Sequence, residues 1–320
     1  MSKRRLEDQL DELSQLREAG DDDALQTGVL KAIKGKNSIV AAKAAVIAGE
    51  MMMNGVADEL VKMFERFCVN GVKNDPGCRA KVAAVGALYQ LDMAEPEVYV
   101  KAARMRQMEP VWGGREDTAT ELRNVAALAM VRCHYGDVMN ELAMLLADDE
   151  HVVRAGAAKA IGYRGLGDGE PLLRLAVLGA EEDVDVLSEC MLSILQIGIE
   201  AGIDFVTGFI GDESRETHER AAIIALGQSR LESAFNVLRE AYERTLDEET
   251  RGDLLTAMSM LRLDHVTDYL IGLVRYGDDI TGEAVVRAMA IYHYDEKLKD
   301  RLLDAAREAS VRQVIEMVFD

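Results

Sequence analysis

A chain of 320 residues can form two ordinary domains or one elongated array. Apolar residues make up 49% of it and aromatics only 5%, so burial rests on aliphatic side chains and alanine, and the 4 prolines suit a protein built on helices. The net charge of −20 excludes nucleic acid as the main partner, because that binding depends on Lys and Arg displacing counterions; an anionic membrane surface is disfavoured for the same reason.

At the N-terminus, Leu6, Leu10, Leu13 and Leu16 form an apolar stripe opposite a charged face, which predicts a capping helix over residues 1–20. The opening Met1-Ser2-Lys3-Arg4-Arg5 leads into an acidic stretch without the apolar core of a signal peptide. A linker is expected around Asp21-Asp22-Asp23, and a repeat array over 22–310. The alanine-rich stretch around Ala44–Gly49 is the first repeat helix, and Met51-Met52-Met53 at its end is expected to pack into the core.

Further along, Ala84–Tyr89 is followed at a distance by Ala126–Val131, then Ala157–Gly162, Met191–Gln196, Ala222–Gly227, Leu254–Ser259 and Val285–Ala290. The fourth residue of each segment from the second onward is Ala129, Ala160, Ile194, Ala225, Ala257 and Ala288, spaced by 31, 34, 31, 32 and 31 residues. Such a period is the signature of a stacked repeat. Each unit divides into a helix of small residues, a short turn and a leucine-rich second helix, with Pro171 placed in the first turn of one second helix. A lone hairpin buries too little apolar surface to offset its chain entropy, so neighbours must cover one another. Acidic clusters at Asp148-Asp149-Glu150, Glu181-Glu182-Asp183, Asp212-Glu213, Asp247-Glu248-Glu249 and Asp278-Asp279 precede helix starts, where carboxylates cap free amides. Thr118 and Glu121 fit a capping box at one more start.

The step from Ala87 to Ala129 is 42 residues, so roughly ten are inserted there. The insertion is expected as a loop over about 107–116, and it holds Pro110, Gly113, Gly114 and Trp112, the only tryptophan. Loops that break a repeat often carry binding, and a tryptophan is a frequent interface anchor; packing back onto adjacent helices is the alternative. Around it the charge reverses. Lys101, Arg104, Arg106, Arg115, Arg123 and Arg132 stand against Glu109, Glu116, Asp117 and Glu121. Trp112, Arg104, Arg106, Arg115 and Arg123 are therefore the candidate partner-binding residues, as a small basic patch for an acidic or phosphorylated peptide. The competing surface is an acidic concave face of second helices for a basic segment.

Cys68, Cys78, Cys133 and Cys190 occur singly without a CxxC pair, which points to free thiols in a reducing compartment. No segment approaches the length of a membrane span. At the C-terminus Val311, Val314, Ile315, Val318 and Phe319 form a stripe expected to close the last unit, as a cap over 311–320.

The pattern V-R-x-x-A-A-x-A-[IL]-G, then a turn, then L-x-x-L stands here as Val153-Arg154, Ala157-Ala158, Ala160-Ile161-Gly162 and Leu172/Leu175. In these features the chain resembles the HEAT and HEAT-like (PBS-lyase-type) repeat superfamily. The resemblance implies an all-α fold, an α-solenoid of about eight tandem helical hairpins, and a family made mostly of binding scaffolds. Its enzymes give the alternatives. Deoxyhypusine hydroxylase holds a di-iron centre with several His-Glu dyads, whereas only His218-Glu219 is present here; Glu150-His151, Asp264-His265 and Tyr292-His293 lack that order. Phycobilin lyases resemble these repeats too, but nothing marks a bilin pocket. DNA glycosylases of this type need a basic groove, which the charge opposes. No catalytic, cofactor or metal residues are assigned. The reading is a cytoplasmic, non-enzymatic scaffold, favoured as a monomer, for a protein or peptide partner.

Overall fold

The computed structural model describes residues 3–319. Met1, Ser2 and Asp320, the extreme ends of the two expected caps, lie outside the described residues. The contacts gather into two compact units, Met1–Arg164 and Gly165–Asp320, where the sequence predicts one array over 22–310. The boundary falls where Gly165, Gly167 and Gly169 occur within five residues.

In the first unit, α1 (Lys3–Ala19) packs on α2 (Asp22–Ile33) and α3 (Ser38–Glu50). The expected linker at Asp21–Asp23 is instead a helix start: the Asp21 carboxylate accepts the Ala24 amide at 3.0 Å and α2 follows at once. After α4 (Ala57–Cys68) and the single turn α5 (Gly71–Asn74) come α6 (Arg79–Gln90) and α7 (Pro96–Ala103). A two-stranded sheet, β1 (Met108–Val111) and β2 (Gly114–Asp117), precedes α8 (Thr120–Arg132), α9 (Val138–Leu146) and α10 (His151–Arg164). The small-residue helices α3, α6, α8 and α10 pack side by side in that order, while α4, α7 and α9 each bridge two of them.

The second unit repeats this plan. It runs through α11 (Glu170–Leu178), α12 (Val184–Ile197), α13 (Ile199–Thr207), α14 (Glu216–Ser229), α15 (Glu232–Arg244), α16 (Glu248–Met260), α17 (Asp264–Tyr276), α18 (Asp279–Ala288), α19 (Glu296–Ala305) and α20 (Ala309–Phe319). Here α12, α14, α16 and α18 form the successive stack. Ala87, Ala129, Ala160, Ile194, Ala225, Ala257 and Ala288 are all buried, each on one of these stacked helices. The fold is a repeat of helical hairpins with eight first helices among the described residues, interrupted by one two-stranded sheet.

Small residues are needed where helices meet closely. A β-carbon on Gly227 would lie 2.7 Å from the Ala257 Cα of the neighbouring helix. Asp183, Asp212, Asp247 and Asp278 accept backbone amides at the helix starts they precede, as expected from their positions. Val311, Val314, Ile315 and Phe319 are buried and α20 packs on α18, so the C-terminal stripe closes the second unit. Met51 and Met52 do not join the core. They stand exposed in the turn after α3, where the chain reverses with Met52 at φ 53°.

Candidate functional site

The inserted segment folds as an antiparallel hairpin rather than an irregular loop, pairing Met108 with Asp117, Glu109 with Glu116, Pro110 with Arg115 and Val111 with Gly114. The pairing leaves Trp112 and Gly113 as a two-residue turn. Gly113 sits at φ +90°, a left-handed conformation that glycine adopts without steric cost. Trp112 at the tip is fully exposed, and Met108 and Val111 beside it are also solvent-exposed. The tryptophan does not fold back onto the helices.

A two-stranded hairpin is marginal alone, so what holds this one is the structure beneath it. The Glu109 carboxylate accepts the Gly77 amide at 2.7 Å, the Gln107 side-chain amide at 2.7 Å and the Thr118 hydroxyl at 2.9 Å. Gln107 also donates to the Asp75 carbonyl at 2.9 Å. A β-carbon on Gly71 would crowd the Gln107 side-chain oxygen, so glycine there lets that amide lie close against α5. Asp75 is wholly buried, where it meets the equally buried Lys81 ammonium at 2.8 Å and accepts the Ala80 and Lys81 amides.

At the other strand end the Asp117 carboxylate accepts the Gln107 and Ala119 amides at 2.9 and 3.0 Å. The Arg123 guanidinium reaches it at 2.6 Å, donates to the Met105 carbonyl at 2.9 Å and meets Asp148 at 3.2 Å. Arg106 closes the set on Asp148 at 2.5 Å. Thr118 serves the hairpin base and does not cap α8, whose start carries no side-chain cap; the expected capping box with Glu121 is absent.

The electrostatics follow. Burial pushes the Glu109 carboxyl up, but hydrogen bonds from Gln107, Gly77 and Thr118, with the Lys81 charge, bring it below the ordinary value. Asp117 is likewise raised by burial and brought down further by the Gln107 and Ala119 amides and by Arg123.

Of the five candidates, the structure sets two apart from the other three. Trp112 and Arg115 stand exposed on the hairpin, and Arg115 has no ion pair among the described residues. Arg123 is completely enclosed, and Arg106 is committed to Asp148. Arg104 forks onto the buried Glu141 carboxylate. These three do not form the expected basic patch, because buried carboxylates in their own unit claim them.

Charge counting and helix starts offer Asp117 and Asp148 only as a local charge and a helix-start acid, and Asp75 and Lys81 not at all. A signal was there. Asp75/Lys81, Asp117/Arg123 and Asp148/Arg154 are each six apart, and each Asp lies twelve residues before an anchor alanine (87 − 75, 129 − 117, 160 − 148). The acid occupies the helix entry and the cation points back to it from the next turn; Arg154 completes the pattern by donating to the Asp148 and Asp149 carbonyls.

Elsewhere, His218 Nε2 lies 2.9 Å from the Val177 carbonyl and its ring stacks on Phe209, so packing accounts for it. Among the described residues no group of three or more His, Cys, Asp or Glu could hold a metal ion, and no helix is long and apolar enough to cross a membrane. The four cysteines are free, with burial pushing Cys68 up to about 11 and Cys78 and Cys190 up to about 12.

No protein-family model matches the chain, and no curated protein matches it. Among solved structures it is similar to the complex of CpcE and CpcF of phycocyanin lyase from Nostoc, with 13% identity, 91% of this chain and 94% of that chain covered, and a TM-score of 0.39. It is also similar to two engineered proteins, each 14% identical. One covers 98% of this chain and 93% of its own at a TM-score of 0.36, the other 91% and 96% at 0.22.

Proposed function

We propose that the chain is a non-enzymatic protein-binding scaffold whose HEAT-like repeats hold the Trp112 hairpin out for a partner protein. The observation that carries this reading is a fully exposed tryptophan on a strand turn whose base is tied down by buried ion pairs. Covering a tryptophan removes on the order of 150–250 Å² of mostly apolar surface from water. A pre-ordered tip also loses little conformational freedom on binding. The four free cysteines are consistent with a reducing, cytoplasmic setting.

The test compares partners recovered from the native host with wild-type protein and with Trp112→Ala, after circular dichroism shows equal helix content. Loss of a stoichiometric partner with the variant is the expected result. Identical recovery overturns the assignment of the hairpin, and roughly two irons per chain by elemental analysis overturns the non-enzymatic reading in favour of a di-iron HEAT-like enzyme.

A further inference from the structure

The hairpin has two edges, and they are not equivalent. The Thr118 amide donates to the Gln107 carbonyl at 3.0 Å, so 107 and 118 are a hydrogen-bonded pair. Antiparallel ladders alternate, which makes 109/116 and 111/114 bonded pairs and turns the main-chain groups of 108/117 and 110/115 outward. On the β1 edge the outward position nearest the tip is Pro110, which has no N–H to give. On the β2 edge it is Arg115, whose N–H and C=O the same alternation turns outward. Gly114, Arg115 and Glu116 are all exposed, and no neighbouring atom lies within 4 Å of where a Gly114 β-carbon would stand.

We propose that the outer edge of β2 accepts an extended segment of a different protein as a third strand, with a carboxylate of that segment opposite Arg115. This deepens the scaffold reading and rests on it. Charge selects the occupant. A second copy pairing antiparallel through the same outward residue would set Arg115 against Arg115, a like-charge pair that sheets disfavour. Residues directly across a ladder share a face, so Arg115 lies with Pro110, Met108 and Asp117, while Glu109 and Glu116 occupy the opposite face. Asp117 is already taken by Arg123. The Arg115 face of the hairpin therefore carries one uncompensated positive charge in a chain whose net charge is −20. Screening within about 8 Å at physiological salt makes the local charge the relevant one. Main-chain bonds to Arg115 supply register, and Trp112 supplies apolar cover.

Trp112 is the only tryptophan, so its emission reports directly on the hairpin. Two synthetic peptides, one alternating Val and Glu and one alternating Val and Lys, are titrated into the intact protein. Amide hydrogen exchange at Arg115 is followed alongside. The Val–Glu peptide shifts the emission to the blue, slows exchange at Arg115 and binds about tenfold tighter than the Val–Lys peptide; Arg115→Glu reverses that order. No binding of either peptide, equal binding of both, or binding without protection of the Arg115 amide overturns the proposal. If partner recovery is lost with Trp112→Ala but retained with Arg115→Glu, the strand-addition mode falls while the scaffold reading stands.

Discussion

The Arg123 guanidinium lies 2.6 Å from the Asp117 carboxylate, with both side chains shut off from solvent. This pair joins the end of β2 to the first turn of α8, and through Asp148 it reaches the entry to α10. A charge enclosed this way is costly to leave alone. Arg123→Met leaves the buried Asp117 carboxylate without its near charge partner while Asp148 keeps Arg106, and the expected loss is about 3 kcal/mol of unfolding free energy. Urea unfolding followed by circular dichroism measures it. A loss near zero would show that the pair contributes nothing net.

Acid should weaken the ties at the base of the hairpin. Glu109 and Asp117 are both held below their ordinary values in the folded protein. A depressed carboxylate contributes stability that is fully present above its unfolded value of about 4 and is lost as pH falls through the lower folded value. The urea midpoint is therefore expected to be flat with respect to these groups from neutral pH down to about 5 and to decline below about 4. Glu109→Gln should flatten part of that decline; an unchanged slope in the variant would remove Glu109 from the account.

Helix contact distance separates two glycines in the second unit. At Gly227 an added methyl meets the Ala257 backbone at 2.7 Å, whereas at Gly252 it meets nothing within 4 Å. Gly227→Ala is expected to destabilise by roughly 1–3 kcal/mol through overpacking. Gly252→Ala, in the interior of α16, should stabilise by about 0.5–1 kcal/mol because alanine restricts the unfolded chain. Thermal unfolding of the two variants checks the signs, which must be opposite.

Thiol chemistry offers a probe of local opening. Cys78 and Cys190 are buried and pushed up to about 12, so almost no thiolate exists near neutral pH. Labelling with a maleimide at pH 7 should be slow at both and should accelerate only in denaturant. Fast native labelling of Cys190 would mean that α12 opens far more readily than its packing implies.

The repeat was legible because its cause is local and recurrent. Alanines at Ala129, Ala160, Ala225 and Ala257 recur wherever a first helix must approach its neighbour, and acids recur wherever a helix begins. Caps at Asp247 and Asp278 follow from chemistry within three residues. The site was less legible, because its bonds join residues far apart in the chain. Gly77 to Glu109 and Arg104 to Glu141 bridge separate hairpins, and charge counting over a window cannot tell a solvated arginine from one claimed by a distant acid.

By itself, then, the sequence determined the helical repeat, its period, the helix starts and the place of the interruption, since each depends on contacts within a hairpin or on a pattern that every neighbouring hairpin repeats. Only the tertiary structure decided that the interruption is a β-hairpin, that Trp112 faces solvent, and that Arg104, Arg106 and Arg123 neutralise buried carboxylates while Arg115 remains free. The physical reason is that burial and pairing are properties of what surrounds a side chain, and those surroundings are assembled from segments tens of residues away.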